Sequence, residues 1–408
     1  MEDFDLNFFD HHKIYKQPFV HREMEKLGTE DFNADMESVA DKISSTPALK
    51  SPHILVTGGA GYLGSILTPL LLKKNYRVHV LDRFYFGRSG LHEVEDYPHL
   101  KVTDVDISHH ENIPHLFKDV QTVVHLASIS NDPSGDLDPN LTIQTNFLAT
   151  LSLARRAKEE GVKQFIFISS CSVYGANEDK FLGEDSEVGP VTLYALSKLQ
   201  CEKELIPLAD ENFSVTILRF STLFGYSPRM RFDLAVNAMV KRALQGQPIL
   251  VNGDGKQYRP FLHIKDAARA ILHIIESDSA IVNRGIFNVG NETLNFMIKD
   301  LAQHIQLHLP KARIERIESN NDRRSYRVLF HRFEKTCNFK TQYLIEDGVR
   351  EIQEAYQKGL LQDMDHPRYY NVEVMKKIIR EPALSYSLAL APRWIIEEPI
   401  VYQSNQGK

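Results

Sequence analysis

Four glycines, Gly58, Gly59, Gly61 and Gly64, fall between two apolar segments and constrain the chain more than any other feature. Before them, His53 to Thr57 is short, apolar and β-branched, the pattern of a strand buried on both faces. After them, Tyr62 to Lys74 carries apolar residues at helical spacing. Glycine permits positive φ and lets backbone amides approach a bound group closely. The free N–H groups and dipole of the helix start then attract a pyrophosphate. The next apolar segment, Arg77 to Leu81, runs into Asp82, eighteen residues beyond Gly64. That is where a dinucleotide-binding βαβ unit places the carboxylate for the ribose hydroxyls. A tight structural turn with a solvated aspartate is the competing account. The coincidence of strand, glycines, helix and acid favours a nucleotide-binding turn.

From His53 onward strands and helices alternate. Strands are expected at 100–105, 122–126, 164–169 and 214–218, and helices at 146–160 and 193–205. Such alternation builds a parallel sheet with helices on both faces, since crossovers are right-handed. Ligands then lie beyond the carboxyl ends of the strands. After Arg219 the pattern weakens, with helices at 232–244 and 265–275 and strands at 248–251 and 285–289. One further helix, 344–358, precedes an irregular tail. The expected organisation is an extension at 1–50, a nucleotide-binding domain at 51–220, a partly interleaved substrate-binding region at 221–360 and a tail at 361–408. Within the extension, short helices at 23–26 and 35–43 and a linker at 44–52 are expected.

The 408 residues hold 48 basic and 54 acidic side chains, a balance of −6 with no basic block of the kind nucleic acids attract. Cys171, Cys201 and Cys337 show neither metal-ligand spacing nor a disulfide framework, which suits a reducing cytoplasm. No signal peptide is evident at the start, and no apolar run approaches the ~20 residues that span a bilayer. His11-His12 reads as a surface pair, and no metal site is expected.

Tyr194 and Lys198 stand four residues apart on an expected helix and so share a face. A phenol has an unperturbed pKa of about 10 and is a poor base at neutral pH. A nearby ammonium favours the phenolate. Tyr194 would then take a proton from a sugar hydroxyl as hydride leaves its carbon, with Lys198 assisting and holding the ribose. Such a pair is common by chance on amphipathic helices. It gains weight here because the serine-rich strand end Ser169-Ser170-Cys171-Ser172 precedes it.

These motifs, together with HLAS (His125 to Ser128), SSCSVYG (Ser169 to Gly175), RPFLHIKD (Arg259 to Asp266) and DRRSYRV (Asp322 to Val328), resemble the extended short-chain dehydrogenase/reductase superfamily, specifically its NAD-dependent nucleotide-sugar epimerases and dehydratases. The resemblance covers roughly residues 53–355. It implies an α/β fold, a Rossmann-type doubly wound parallel sheet with a smaller C-terminal α/β substrate domain. It implies Ser170, Tyr194 and Lys198 as catalytic residues. It places the cofactor on Gly58, Gly61, Tyr62, Leu63, Gly64, Asp82, Arg83, Asp106, Ile107, Leu126, Ala127, Ser128, Asn146 and Ser169, besides Tyr194 and Lys198. It places the substrate on Ser130, Cys171, Ser172, Thr222, Arg231, Arg259 and either or both of Arg324 and Arg327. The arginines would clamp a nucleotide diphosphate, a task suited to bidentate guanidinium donors. Asp82 argues for NAD, because a carboxylate repels a 2′-phosphate, although Arg83 beside it softens the preference and leaves NADP as the minor alternative.

Two departures from the family pattern matter. Relatives that eliminate water carry an Asp-Glu pair where Cys171 and Ser172 stand, and elimination needs both an acid and a base. Many relatives also carry Asn near Thr222. Tyr226 to Arg231 (YSPRMR) adds two cationic groups there. The expected function is therefore a nucleotide-sugar epimerase acting at C4 through a transient 4-keto sugar. A 4,6-dehydratase or a reductase of the same superfamily is the nearer alternative, and a non-catalytic nucleotide-binding regulator or scaffold the more distant one. A homodimer built on the helices at 146–160 and 193–205 is the family expectation, with no nucleic acid or membrane partner.

Overall fold

The computed structural model describes residues 52–318 and 324–380. The expectations for the N-terminal extension, His11-His12 included, lie outside the described residues, as does the tail beyond residue 380.

Seven parallel strands form the central sheet: β1 (His53–Thr57), β2 (Arg77–Asp82), β3 (Leu100–Asp104), β4 (Val120–His125), β5 (Gln164–Ser170), β7 (Ser214–Phe220) and β11 (Gly285–Val289). Their spatial order is β11-β7-β5-β4-β1-β2-β3, the doubly wound Rossmann arrangement that the glycine turn implies. The order in which strands are added reverses between β1 and β4, which pair in parallel register from Ile54↔Thr122 to Thr57↔His125. A crevice must open at that reversal, beyond the carboxyl ends of both strands.

Alternation along β1 shows why both faces are covered. Ile54 and Val56 pack with Leu67 and Leu71 of α1 (Gly64–Lys73) and with Ala267 and Ile271 of α5 (Ile264–Glu276). Leu55 packs on the opposite side with Leu151 and Ala154 of α2 (Ala149–Glu159) and with Cys201 and Leu205 of α3 (Leu193–Leu205). Each such aliphatic side chain, fully withdrawn from water, contributes about 1.5–3 kcal/mol.

Three small sheets accompany the main one, built mostly from the chain beyond β7. β8 (Thr222–Phe224) lies parallel to β10 (Tyr258–His263), and β12 (Asn295–Met297) runs antiparallel on its other edge, with Arg259 opposite Phe296. β9 (Ile249–Asn252) pairs with β13 (Ile314–Ile317), and β6 (Ala176–Leu182) with β14 (Ser325–Val328). The helices here are α4 (Ala235–Leu244), α6 (Ile298–His308), α7 (His331–Cys337) and α8 (Ile345–Gln357). β11 arises within this later stretch yet returns to the main sheet as its edge strand, in register with β7 from Gly285↔Thr216 to Val289↔Phe220.

Two local expectations need correction. The helix expected at 146–160 opens instead with a wide π turn, Gln144–Leu148, preceded by a short helix at Pro139–Ile143. The turn leaves the Asn146 carbonyl to accept Thr150 Oγ1 at 2.9 Å and Cys201 Sγ at 3.0 Å. The tail expected to be irregular contains a helix, α9 (Asn371–Ile379), whose Met375 and Ile378 pack on Ile129 and Leu141. Among the described residues no helix is long and apolar enough to cross a membrane.

Candidate active site

A cavity of about 690 Å³ opens at the carboxyl end of the sheet, floored by the glycine turn and roofed by residues after β7. Gly58 adopts φ +72°, and a Cβ there would lie 2.8 Å from the Ala127 amide nitrogen. A Cβ on Gly64 would lie 2.4 Å from the Gly58 carbonyl oxygen. Only glycine lets the turn close against the residues just after β4 and against the start of α1.

Asp82 ends β2 and accepts from the Ala60 amide at 2.9 Å and the Phe84 amide at 2.8 Å. Burial raises its carboxyl pKa, and those two amides oppose the shift. Arg83 points instead toward Asp106 at 3.6 Å. Asp106 in turn caps the next turn through Ser108. The cation next to Asp82 is thus turned to a carboxylate. Both acids and Arg83 line the cavity, as do Ile107, Leu126, Ala127 and Ser128.

The residues expected to react come from β5 and α3. Thr192 caps α3 by accepting the Ala195 amide, so the helix starts at Leu193 and turns Tyr194 and Lys198 into the cavity. Lys198 Nζ donates to the Ile168 carbonyl at 2.9 Å and lies 5.8 Å from the Tyr194 ring centre. Burial brings the Lys198 pKa down to about 8. The Tyr194 phenol is pushed up, first by burial and then by the Asp132 carboxylate; Arg231 and a hydrogen bond with Ser170 oppose this. The acidic phenol expected from an adjacent ammonium is therefore not what the protein alone provides. The Lys198 ammonium is spent on a backbone carbonyl, and desolvation outweighs the remaining attractions.

Ser169 lies beneath, donating to Glu202, which forms a buried ion pair with Arg219 at 2.6 Å. Ser172 lines the cavity with a buried hydroxyl that has no hydrogen-bond partner. Thr222 and Ser130 also line it.

Three expected residues do not reach the cavity wall. Asn146 sits behind it, bonding both the amide and the carbonyl of Ile129 at 2.8 and 3.1 Å, and so shapes the loop after β4. Cys171 turns inward to the Arg219 carbonyl at 3.3 Å, and burial pushes its thiol up to about 12. Arg327 stacks between the Phe181 and Tyr258 rings. Arg324 is the arginine of that pair in the wall, beside Arg259.

Sequence reasoning missed Asp132, Asp233 and Asn371. Asp132 accepts from Thr192 Oγ1 and pairs with Arg324. Asp233 receives Arg231 through two bonds of 2.9 Å and also Asn131 at 2.8 Å. Asp132 had one signal available, its place in the loop leaving β4 at the carboxyl edge. One group outside the cavity, His304, His308 and Glu346, has ligand atoms within 4.8 Å of one another among the described residues.

The glycine cradle, the acid at the end of β2 and the wall between them fit a dinucleotide. The sequence matches the NAD dependent epimerase/dehydratase family over residues 54–290. The chain is 32% identical over 259 residues to UDP-N-acetyl-alpha-D-glucosaminuronate decarboxylase of Bacillus cytotoxicus, covering 62% of this chain and 78% of that one. It is 31% identical to UDP-glucuronic acid decarboxylase 1 of Danio rerio, covering 68% of each. The crystal structure of UDP-glucuronic acid 4-epimerase from Bacillus cereus, in complex with UDP-glucuronic acid and NAD, superposes with a TM-score of 0.66 at 26% identity, covering 75% of this chain and 99% of that one.

Proposed function

The chain belongs to the NAD dependent epimerase/dehydratase family, and from that premise we propose that it is a nucleotide-sugar 4-epimerase. The supporting observation is the placement of Ser170, Tyr194 and Lys198 around one cavity wall, with no carboxylate at positions 171 and 172.

When bound, NAD supplies a hydride acceptor that later returns the hydride. Tyr194, once it has released its own proton to become the phenolate that a bound nicotinamide cation, Arg231 and Ser170 favour, would accept the proton of the sugar C4 hydroxyl, and Ser170 beside it would hold that hydroxyl in line. Lys198, anchored on Ile168, presents its remaining N–H groups to the ribose side of the cavity. The unpartnered Ser172 hydroxyl is free to bond the sugar ring. Arg259 and Arg324 supply cationic donors for the diphosphate. Returning the hydride to the opposite face inverts C4 with no net redox change. Elimination of water is disfavoured, because a thiol held near 12 and a serine hydroxyl are poor acids and bases at that position.

A second reading is favoured by the two decarboxylases at 31–32% identity. On a hexuronic acid, the same oxidation at C4 makes the C6 carboxylate a β-keto acid, which loses carbon dioxide with no carboxylate assistance. Incubation with UDP-, GDP-, CDP- and dTDP-hexoses and with UDP-hexuronates, followed by NMR, separates the readings. Interconversion of 4-epimers supports epimerisation, and a pentose product with carbon dioxide supports decarboxylation. A 4-keto-6-deoxy product overturns both.

A further inference from the structure

We infer that Arg229 is a ligand of the dinucleotide's phosphates, set in place by Asn371 of the C-terminal helix α9. The inference rests on the NAD-dependent reading above and extends it to a segment beyond the region that the family pattern covers.

Arg229 belongs to the YSPRMR stretch and lines the cavity with 4% of its surface exposed. Its guanidinium stacks on Phe86, four residues after Asp82, with Cζ 3.9 Å from the ring centre. One terminal nitrogen donates to Asn371 Oδ1 at 2.5 Å, and Nε has no hydrogen-bond partner. Among the described residues no carboxylate lies within ion-pair distance of it, whereas its neighbour Arg231 is held by both oxygens of Asp233. A buried cation without a counter-ion is costly unless an anion arrives. Burial and Arg231 bring its pKa down to about 9, so it is charged at neutral pH.

Asn371 is 2% exposed and also lines the cavity. Its Nδ2 donates to the Ser130 carbonyl at 3.0 Å and to Ser130 Oγ at 3.1 Å, and its amide donates to Asp233 at 3.2 Å. It therefore ties Arg229 to the loop after β4 and to the partner of Arg231. Val372 and Met375 carry the same wall onward. Stacked on Phe86, which follows Asp82 by four residues, Arg229 is placed for the phosphates of the adenosine half rather than for the sugar substrate. The guanidinium suits that role through its planar, always available donors.

The test is binding of NAD, ADP and adenosine to the full-length wild type and to Arg229→Gln, Arg229→Lys and Asn371→Ala, by calorimetry, with circular dichroism confirming folding. Loss of a charged hydrogen bond should weaken NAD and ADP by about 10- to 100-fold in Arg229→Gln. Adenosine should change by less than about twofold, since it carries no phosphate for the lost donor. Arg229→Lys should fall between, and Asn371→Ala should weaken ADP more than adenosine. If Arg229→Gln fails to fold, the ADP-to-adenosine ratio in the other two variants decides. Equal losses for ADP and adenosine, or none, overturn the inference alone when the wild type binds NAD. A wild type that binds neither NAD nor ADP overturns it together with the family-based reading.

Discussion

Lys198 Nζ is held 2.9 Å from the carbonyl oxygen of Ile168, at the end of the strand that also carries Ser170. The ammonium is thereby fixed 5.8 Å from the centre of the Tyr194 ring. Burial depresses the lysine and raises the phenol at once, because each charged form loses its water. A site assembled this way depends on bound groups and on Arg231 and Ser170 to bring the tyrosine into use.

The lysine makes stability depend on pH. Its folded pKa of about 8 lies below its ordinary 10.5. Between those values the unfolded chain binds the extra proton, so stability rises with pH across that window. Wild type should gain about 3 kcal/mol relative to Lys198→Met between pH 8 and 10.5, an order-of-magnitude figure. Urea unfolding of both proteins at several pH values reads the difference, and a gap that stays constant with pH refutes it.

Replacing Tyr194 by Phe removes the proton acceptor and leaves the ring. Turnover should fall by roughly 10²- to 10⁴-fold. NAD affinity, measured by fluorescence titration, should stay within a factor of two or so, since the phenol is asked to act on the substrate. A variant that keeps near-normal turnover would remove Tyr194 from the chemistry.

Asp132 raises the Tyr194 pKa through its negative charge. Asp132→Asn should therefore lower it, and the ascending limb of the kcat–pH profile should move to lower pH. The same change frees Arg324 from its partner, which pushes in the same direction. A limb that moves to higher pH, or not at all, contradicts this account.

Glu202 and Arg219 form an ion pair with side chains 2% and 5% exposed. Glu202→Gln leaves the guanidinium buried without its charge partner. Such losses cost about 3–5 kcal/mol. Thermal and denaturant melts should show it, while the neutral Ser169→Ala change on the same carboxylate should cost far less.

The turn between β1 and α1 and the placement of Tyr194 and Lys198 on one cavity were legible because their signals are local. A strand, a glycine turn and a helix occupy adjacent positions, and Tyr194 and Lys198 are one helical turn apart, so spacing alone carries the geometry. Cys171 and Arg327 were misjudged for the opposite reason: their motifs reach the site, yet the backbone turns Cys171 inward and aromatic rings take Arg327.

What the sequence determined by itself, then, is the parallel sheet, the glycine turn and the shared helix face of Tyr194 and Lys198, since periodicity and short-range spacing encode each of them. Only the tertiary structure decided that β11 rejoins the main sheet, that Asp132 meets Arg324 across 192 positions, and that Asn371 meets Ser130 across 241. No short-range pattern records such contacts. The last of them exists because the folded chain must pack α9 somewhere, and the cavity edge offered apolar surface at Ile129 and polar partners at Ser130 and Arg229.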